Sequence, residues 1–353
     1  MTSSILSSAM LTKVLTFLTL VLGYASTVAA RDAFVLAGFE TAAGTRNSFT
    51  AEIGDEAGSI PITAFHGTHE GPVLTLSAGT HGDEFPSIMA LQRLRREVDP
   101  AQLAGTLVLV HAANLPALHQ NGLSPLHPVD GKNLNREFPG SYGGTPTERL
   151  AHFLTTEIVA SSDYLADLHS GSADQWLYPH IYAPFVGDEE LDARTLAWAM
   201  ASNMRHVVLY GDRPRDPANS VSYPNTAMTR GKPGLTIEIG DRGRTDEDDV
   251  RAYSDVLRRL IVALEMLPGE FPSPGGQIIY ERLEDVETPV TGLFEPLCSI
   301  GELVEEGALL GVVRDYFGDE IAEVRAPLRG VVLMLRHAPP VHAGAGLVTL
   351  GVE

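Results

Sequence analysis

Three short stretches hold acid and imidazole side chains at spacings suited to metal chemistry. Gly79-Thr80-His81-Gly82-Asp83-Glu84 sets His81 and Glu84 three residues apart, on a turn that follows an apolar run and precedes a helical pattern. Both side chains can therefore converge on one cation. That spacing alone is weak, because chance supplies such pairs in a chain with 12 histidines. Tyr164-Leu165-Ala166-Asp167-Leu168-His169-Ser170-Gly171 places Asp167 and His169 two apart, on one face of a strand. A carboxylate there can orient a metal-ligating imidazole. In Thr236-Ile237-Glu238-Ile239-Gly240, Glu238 is an acid inside an otherwise apolar strand, where an unpartnered charge is expensive. The chain has a single cysteine, Cys298, so it can build neither an internal disulfide nor a cysteine-based zinc site. His81, Glu84 and His169 give three protein ligands with a fourth position open, the arrangement of catalytic zinc, one ion per chain. Glu238 is then left as general base for a water on the metal.

These residues need strands to carry them and helices to back the strands. Val73–Ala78 reads as a buried strand, followed by a helix over Phe85–Val98 with Phe85, Ile88, Leu91, Leu94 and Val98 at helical spacing. Thr106–Val110, Tyr164–Leu168, His206–Tyr210 and Leu235–Ile239 read as further strands. Thr145-Pro146-Thr147-Glu148 is a capping box with proline at the first helical position. A long helix is expected from about Asp246 to Met266. Strands alternating with helices imply an α/β domain with a parallel or mixed sheet, and in such sheets functional groups gather at the carboxyl ends of strands, where all three stretches lie.

Those three stretches, together with Asn133-Leu134-Asn135-Arg136-Glu137-Phe138-Pro139-Gly140, resemble the succinylglutamate desuccinylase/aspartoacylase family, which shares the zinc carboxypeptidase fold. The motifs stand in family order, and the resemblance covers roughly residues 60 to 353. It implies that His81, Glu84 and His169 are zinc ligands, that Glu238 is the base, and that Asn135 and Arg136 grip a substrate carboxylate. A guanidinium fork suits that last task.

Two positions depart from the family pattern. Asn133 stands where related sequences often have aspartate as the partner of the first zinc histidine; asparagine still accepts the hydrogen bond but brings no charge. The arginine that many relatives place shortly before the Pro-x-Asp-Gly turn, to stabilise the oxyanion, is missing from Ser124-Pro125-Leu126-His127-Pro128. His127 and Lys132 are the substitutes at hand. Plain alternatives stand beside these roles: His81 and His169 as core histidines, Arg136 as a surface partner of Glu137, and Asp167 as a strand-end cap. Tyr223 and Arg230, shortly before Glu238, are further candidates for carboxylate binding or transition-state support.

Residues 1–30 hold Lys13 as their only charge, an apolar run over Val14–Leu22, and Val28-Ala29-Ala30 before Arg31. This reads as a secretory signal peptide, with an apolar core too short for a permanent span of about 20 residues. The expected protein is exported, periplasmic or secreted, with no membrane attachment after cleavage. The catalytic α/β domain is expected over residues 31–266, a Pro/Gly-rich linker over 267–276 and a small all-β unit, barrel-sandwich-like by the same resemblance, over 277–353. That unit contains no lysine, since none follows Lys232, so it cannot carry biotin or lipoate. Shaping the mouth of the site, limiting substrate size or assembling a homo-oligomer are the roles left to it.

With 25 Lys+Arg against 45 Asp+Glu the formal charge is −20, and the densest basic run, Arg93-Leu94-Arg95-Arg96, is followed by Glu97. Nucleic-acid binding is excluded on that balance. The expected activity is zinc-dependent hydrolysis of the amide bond of an N-acyl amino acid, or a similar small amide carrying a carboxylate. A metallocarboxypeptidase acting on peptides and a catalytically silent secreted binding protein are the alternatives.

Overall fold

A computed structural model describes residues 31–120, 123–211, 213–271 and 275–353. The expected signal peptide lies outside the described residues. Among those described, no helix is long and apolar enough to cross a membrane.

The frame is a nine-stranded mixed sheet. Its spatial order is Ile278–Tyr280, His206–Tyr210, His180–Pro184, Gly234–Glu238, Tyr164–His169, His69–Ala78, Ala104–Val110, Gly58–His66 and Thr45–Gly54. The central strands His69–Ala78, Tyr164–His169 and Gly234–Glu238 run parallel, so their carboxyl ends lie side by side. Each expected strand is present with ends shifted by a few residues. Gly234–Glu238 closes on Glu238 itself. The hairpin Thr45–Gly54/Gly58–His66 has no counterpart in the apolar runs, because its outer strand alternates exposed and half-buried residues at the sheet edge.

The two faces of the sheet differ in chemistry, and the difference follows from strand alternation. Leu74, Leu76, Ala78, Ala166, Leu168, Leu235 and Ile237 point to one face and are buried under the helices Phe85–Glu97, Glu189–Ala201 and Glu247–Ala263, through Leu91, Leu94, Trp198, Leu257 and Leu260. The intervening residues point to the other face. In register there, Ser77 pairs with Asp167 and Asp167 with Thr236, while His169 pairs with Glu238. Further back on the same face Val108, Val110 and Leu165 turn apolar and bury Leu134, Phe138, Leu150, Leu154, Ile158 and Tyr223. The helix Pro146–Phe153 starts with the Thr145 N–H donating to Glu148 at 2.7 Å and runs on as a wider π-helical segment, Leu154–Val159.

The C-terminal residues form antiparallel sheets around Phe294, Leu310, Val324, Val332, Leu335, Val348 and Leu350. Two strands knit this region to the large sheet. Ile278–Tyr280 is the large sheet's edge strand, parallel to His206–Tyr210, and Gln175–Leu177, just after His169, pairs with Gly330–Arg336. Val208, Tyr280, Val331 and Leu333 are buried together at this seam, with Tyr182 packed against them. An ion pair from Arg336 to Asp174 at 3.1 Å and the Tyr178 N–H donating to the Leu333 carbonyl at 2.8 Å complete it. The mixed α/β sheet with its antiparallel β appendage is a carboxypeptidase-like architecture.

Candidate active site

The turn after His69–Ala78 depends on two glycines. Gly79 has φ +69°, a left-handed conformation that side chains other than glycine rarely adopt. At Gly82 a Cβ would lie 2.3 Å from the Ala117 carbonyl oxygen, so any side chain would displace the turn. The helix Phe85–Glu97 then starts immediately after Glu84, with Pro86 in its first turn. Its N-terminal end favours a negative charge at Glu84.

Glu84 is the hub. Its Oε1 lies 2.7 Å from His81 Nδ1 and its Oε2 lies 2.8 Å from His169 Nδ1. The two imidazole rings are 4.9 Å apart, and ligand atoms of His81, Glu84 and His169 lie within 4.8 Å of one another. Among the described residues these three form the group able to hold a metal ion. The far nitrogen of each ring is held in turn. His81 Nε2 meets Asn133 Oδ1 at 3.1 Å, and His169 Nε2 meets Asp167 Oδ2 at 2.7 Å. Asp167, fully buried, also accepts from Thr80 Oγ1 at 2.8 Å and from Asn135 Nδ2 at 3.3 Å. It is therefore an orienting carboxylate and not a plain strand cap. The donor set fits a divalent transition metal: two imidazole nitrogens and a carboxylate face one point, and each imidazole has an outer acceptor fixing its tautomer.

Electrostatics sharpen the division of labour. Burial alone would raise the Glu84 carboxyl, but His81 and His169 outweigh it and hold it at about 2. Burial likewise disfavours the His169 cation, yet Asp167 and Glu84 lift it well above the ordinary imidazole range. Glu238, half-buried at the end of its strand, behaves in the opposite way. Burial pushes its carboxyl up to about 8, opposed by His169 and reinforced by Glu84 and Asp167. Two neighbouring carboxyls are thus driven apart, one an obligate anion and one able to take and release a proton near neutral pH.

The sequence-derived residues do not all face the same way. His81, Glu84, His169 and Glu238 meet at adjacent strand ends. Asn135 is buried, and its Oδ1 accepts from the Tyr223 N–H at 2.9 Å while its Nδ2 serves Asp167. Arg136 is exposed, and among the described residues its guanidinium hydrogen-bonds to the Asn135 carbonyl at 2.8 Å. Glu137 does not claim it, because Glu137 pairs with Lys132 at 2.9 Å. Lys132 also pairs with Glu148 at 2.8 Å, and His127 is buried 3.7 Å from Asp130. Tyr223 is buried and stacked on Phe138, and Arg230 donates to the Thr226 carbonyl of the preceding helix and to the Pro217 carbonyl of an earlier turn.

Sequence reasoning missed Thr80 and Tyr253. Thr80 lies inside the first motif, and only its register opposite Asp167 reveals its use. Tyr253 lies within the long helix, where nothing in the sequence singles it out. In the fold its hydroxyl reaches the carbonyls of His169 and Ile237, the latter at 2.9 Å, and ties two strand ends together from beneath.

Comparison with known proteins agrees with this geometry. Residues 70–264 match the succinylglutamate desuccinylase/aspartoacylase catalytic domain. The chain is 30% identical over 292 residues to N-alpha-acetyl-L-2,4-diaminobutyric acid deacetylase of Halomonas elongata, covering 81% of this chain and 83% of that protein. Among solved structures, a succinylglutamate desuccinylase/aspartoacylase from Rhodobacter sphaeroides superposes with TM-score 0.77 at 26% identity, covering 92% of this chain and 96% of the other. The product-bound ectoine utilization protein EutE (DoeB) from Ruegeria pomeroyi superposes with TM-score 0.79 at 25% identity, over the same shares of the two chains.

Proposed function

This chain belongs to the succinylglutamate desuccinylase/aspartoacylase family, and from that premise we propose that it is a zinc-dependent deacylase that cleaves the amide bond of an N-acyl amino acid. The observation that carries the reading is the pairing of a three-residue donor set, His81, Glu84 and His169, with a separate carboxyl, Glu238, opposite His169 in strand register. A pure binding site has no need of that second carboxyl.

His81, Glu84 and His169 would hold the zinc, which when bound would supply a Lewis acid for the scissile carbonyl and make a water more acidic. The chain's own groups do the rest. Asp167 and Asn133 keep the imidazoles turned inward. Glu238 takes the proton of the attacking water and passes it to the departing amine nitrogen; cationic charge in the site favours the ionised form this requires. Arg136 binds the substrate carboxylate, so binding energy places the amide at the strand ends. The Halomonas relative supports a short acyl group such as acetyl.

Amine release by the zinc-loaded protein, measured against N-acetyl amino acids and unblocked peptides in parallel, tests the proposal. Release from N-acetyl amino acids is expected. Stepwise loss of C-terminal residues from peptides, without release from N-acetyl amino acids, would replace it by a carboxypeptidase.

A further inference from the structure

The edge hairpin Thr45–Gly54/Gly58–His66 is the floor of a groove of about 520 Å³ on the helix-covered face of the large sheet. Thr63 turns to this face, because it lies opposite Leu109 in register and Leu109 is buried under the helices. Ser48 stands opposite Thr63 on the outer strand. One wall is the helix Phe85–Glu97, through Ile88, Gln92 and Arg95, and the other is the segment 111–119. A cavity of this size holds a small molecule. No residue that lines it is acidic, although the chain has 45 Asp+Glu against 25 Lys+Arg.

Four polar side chains of the groove hold one another in place. Arg95 Nε donates to Ser48 Oγ at 3.2 Å and to Thr63 Oγ1 at 3.3 Å, and Nη2 donates to Ser48 Oγ at 3.1 Å. The two hydroxyls are 2.9 Å apart, and Thr63 Oγ1 lies 2.9 Å from His111 Nε2. His111 Nδ1 is buried with no hydrogen-bond partner among the described residues. Burial and the charge of Arg95 hold that imidazole down at about 4, so the ring is neutral. Arg95 is half-buried, and among the described residues it pairs with no carboxylate. Arg46 donates to the Arg95 carbonyl at 2.8 Å and adds a second positive charge, likewise without a carboxylate. In a chain this acidic, a half-buried guanidinium without an anion is a charge left uncompensated.

We propose that this groove is a second ligand site, which binds a small amphipathic monocarboxylate with its carboxylate on Arg95 and its alkyl tail along Pro61, Ile88, Leu115 and Leu118. Those four side chains are half-buried, so a tail laid on them removes apolar surface from water on both sides. The two hydroxyls already fix the guanidinium fork, and little side-chain entropy is lost when the anion arrives. Arg95 is the only arginine or lysine that lines the groove, which suits a monoanion better than a phosphate dianion. The chain's charge of −20 opposes an anionic membrane, so the ligand is a free carboxylate and not a lipid surface. The wall at 111–119 also backs the turn that carries His81, since the Ala113 and Asn114 N–H groups donate to the Ala78 and Gly79 carbonyls at 2.9 Å each. The groove uses none of His81, Glu84, His169 or Glu238, and the proposal does not rest on the deacylase reading.

The test is calorimetric titration of octanoate and octan-1-ol into the zinc-loaded protein. Octanoate is expected to bind at least about tenfold more tightly than the alcohol. It should also exceed butanoate by at least about tenfold, since each buried methylene adds up to about fourfold. Arg95→Gln should weaken octanoate by about tenfold or more and leave octan-1-ol within about threefold. Arg95→Lys, which keeps the charge, should recover part of the preference. Leu118→Asp, which sets an anion in the groove, should weaken octanoate at least as much as Arg95→Gln does. Arg136→Ala separates this site from the strand ends: one octanoate per chain should remain, with affinity within about threefold. Loss of octanoate in Arg136→Ala but not in Arg95→Gln would assign the binding to the strand ends and overturn the proposal. Equal binding of octanoate and octan-1-ol would leave only an apolar surface, and no octanoate bound at about 5 mM would leave no site; either overturns it. Self-association that Arg95→Gln abolishes and octanoate leaves untouched would give the groove to a second copy of the chain, and also overturns it.

Discussion

Ionisable side chains are spent in two different ways in the two parts of this molecule. At the strand ends of the large sheet, Glu84, Asp167 and His169 are nearly sealed from solvent, with side chains 4%, 0% and 3% exposed, and each has at least two partners. In the C-terminal β region, charges pair singly on the surface. Arg329 meets Glu305 at 3.1 Å with side chains 56% and 73% exposed, and Arg325 meets Glu323 at 2.7 Å at about half exposure. A buried group that loses its partner is left with the full desolvation penalty, whereas an exposed pair gives up a contact that water nearly replaces. The strand-end network specifies one arrangement of donors. The β region's pairs lie on its surface, and the region packs on the large sheet through the seam at Tyr182, Tyr280 and Leu333.

The contrast is open to attack from its strongest point downward. Glu84→Ala removes the acceptor shared by both imidazoles and one of three donors. Zinc content should fall to background and amide hydrolysis by about a thousandfold or more; retention of near-stoichiometric zinc would show that the metal is held elsewhere. Asp167→Ala leaves the donors in place but frees the far side of His169. Competition against a zinc chelator should show affinity lowered about 10–100-fold, and an unchanged affinity would reduce Asp167 to a cap.

The third test uses pH on the metal-free protein. The carboxyl of Glu238 titrates at about 8 in the fold against an ordinary 4.5. The unfolded chain therefore releases this proton first as pH rises. The parent protein should lose stability between about pH 4.5 and 8 relative to Glu238→Gln, which has no proton to lose. Denaturant melts of the pair should coincide near pH 4 and separate at pH 9 by more than about 1 kcal/mol in favour of the glutamine variant. Coincidence at both would place Glu238 in water. Arg329→Ala in the β region should be nearly silent, under about 0.5 kcal/mol at any pH. A loss above about 2 kcal/mol would erase the distinction between the regions.

What could be read in the chain follows the same division. His81, Glu84, His169 and Glu238 were visible because each stands out at the end of an apolar run, and an apolar run is what a buried parallel strand looks like in sequence. Thr80 acts on Asp167, 87 residues distant, and Tyr253 on His169, 84 residues distant, and nothing local marks either. Asn135 was legible only as part of a motif; its inward amide, held between Tyr223 and Asp167, depends on a contact 88 residues away. The edge strand Thr45–Gly54 was hidden for the opposite reason, since a half-exposed edge strand carries no apolar run.

The most direct measurement takes zinc content and amine release together, on the parent protein and Glu238→Gln, with N-acetyl amino acids as substrate. About one zinc per chain is expected in both, with release lowered about 10²–10⁴-fold in the variant alone. Undiminished release from Glu238→Gln, or zinc lost along with the carboxylate, would contradict the division between a metal-holding triad and a separate base.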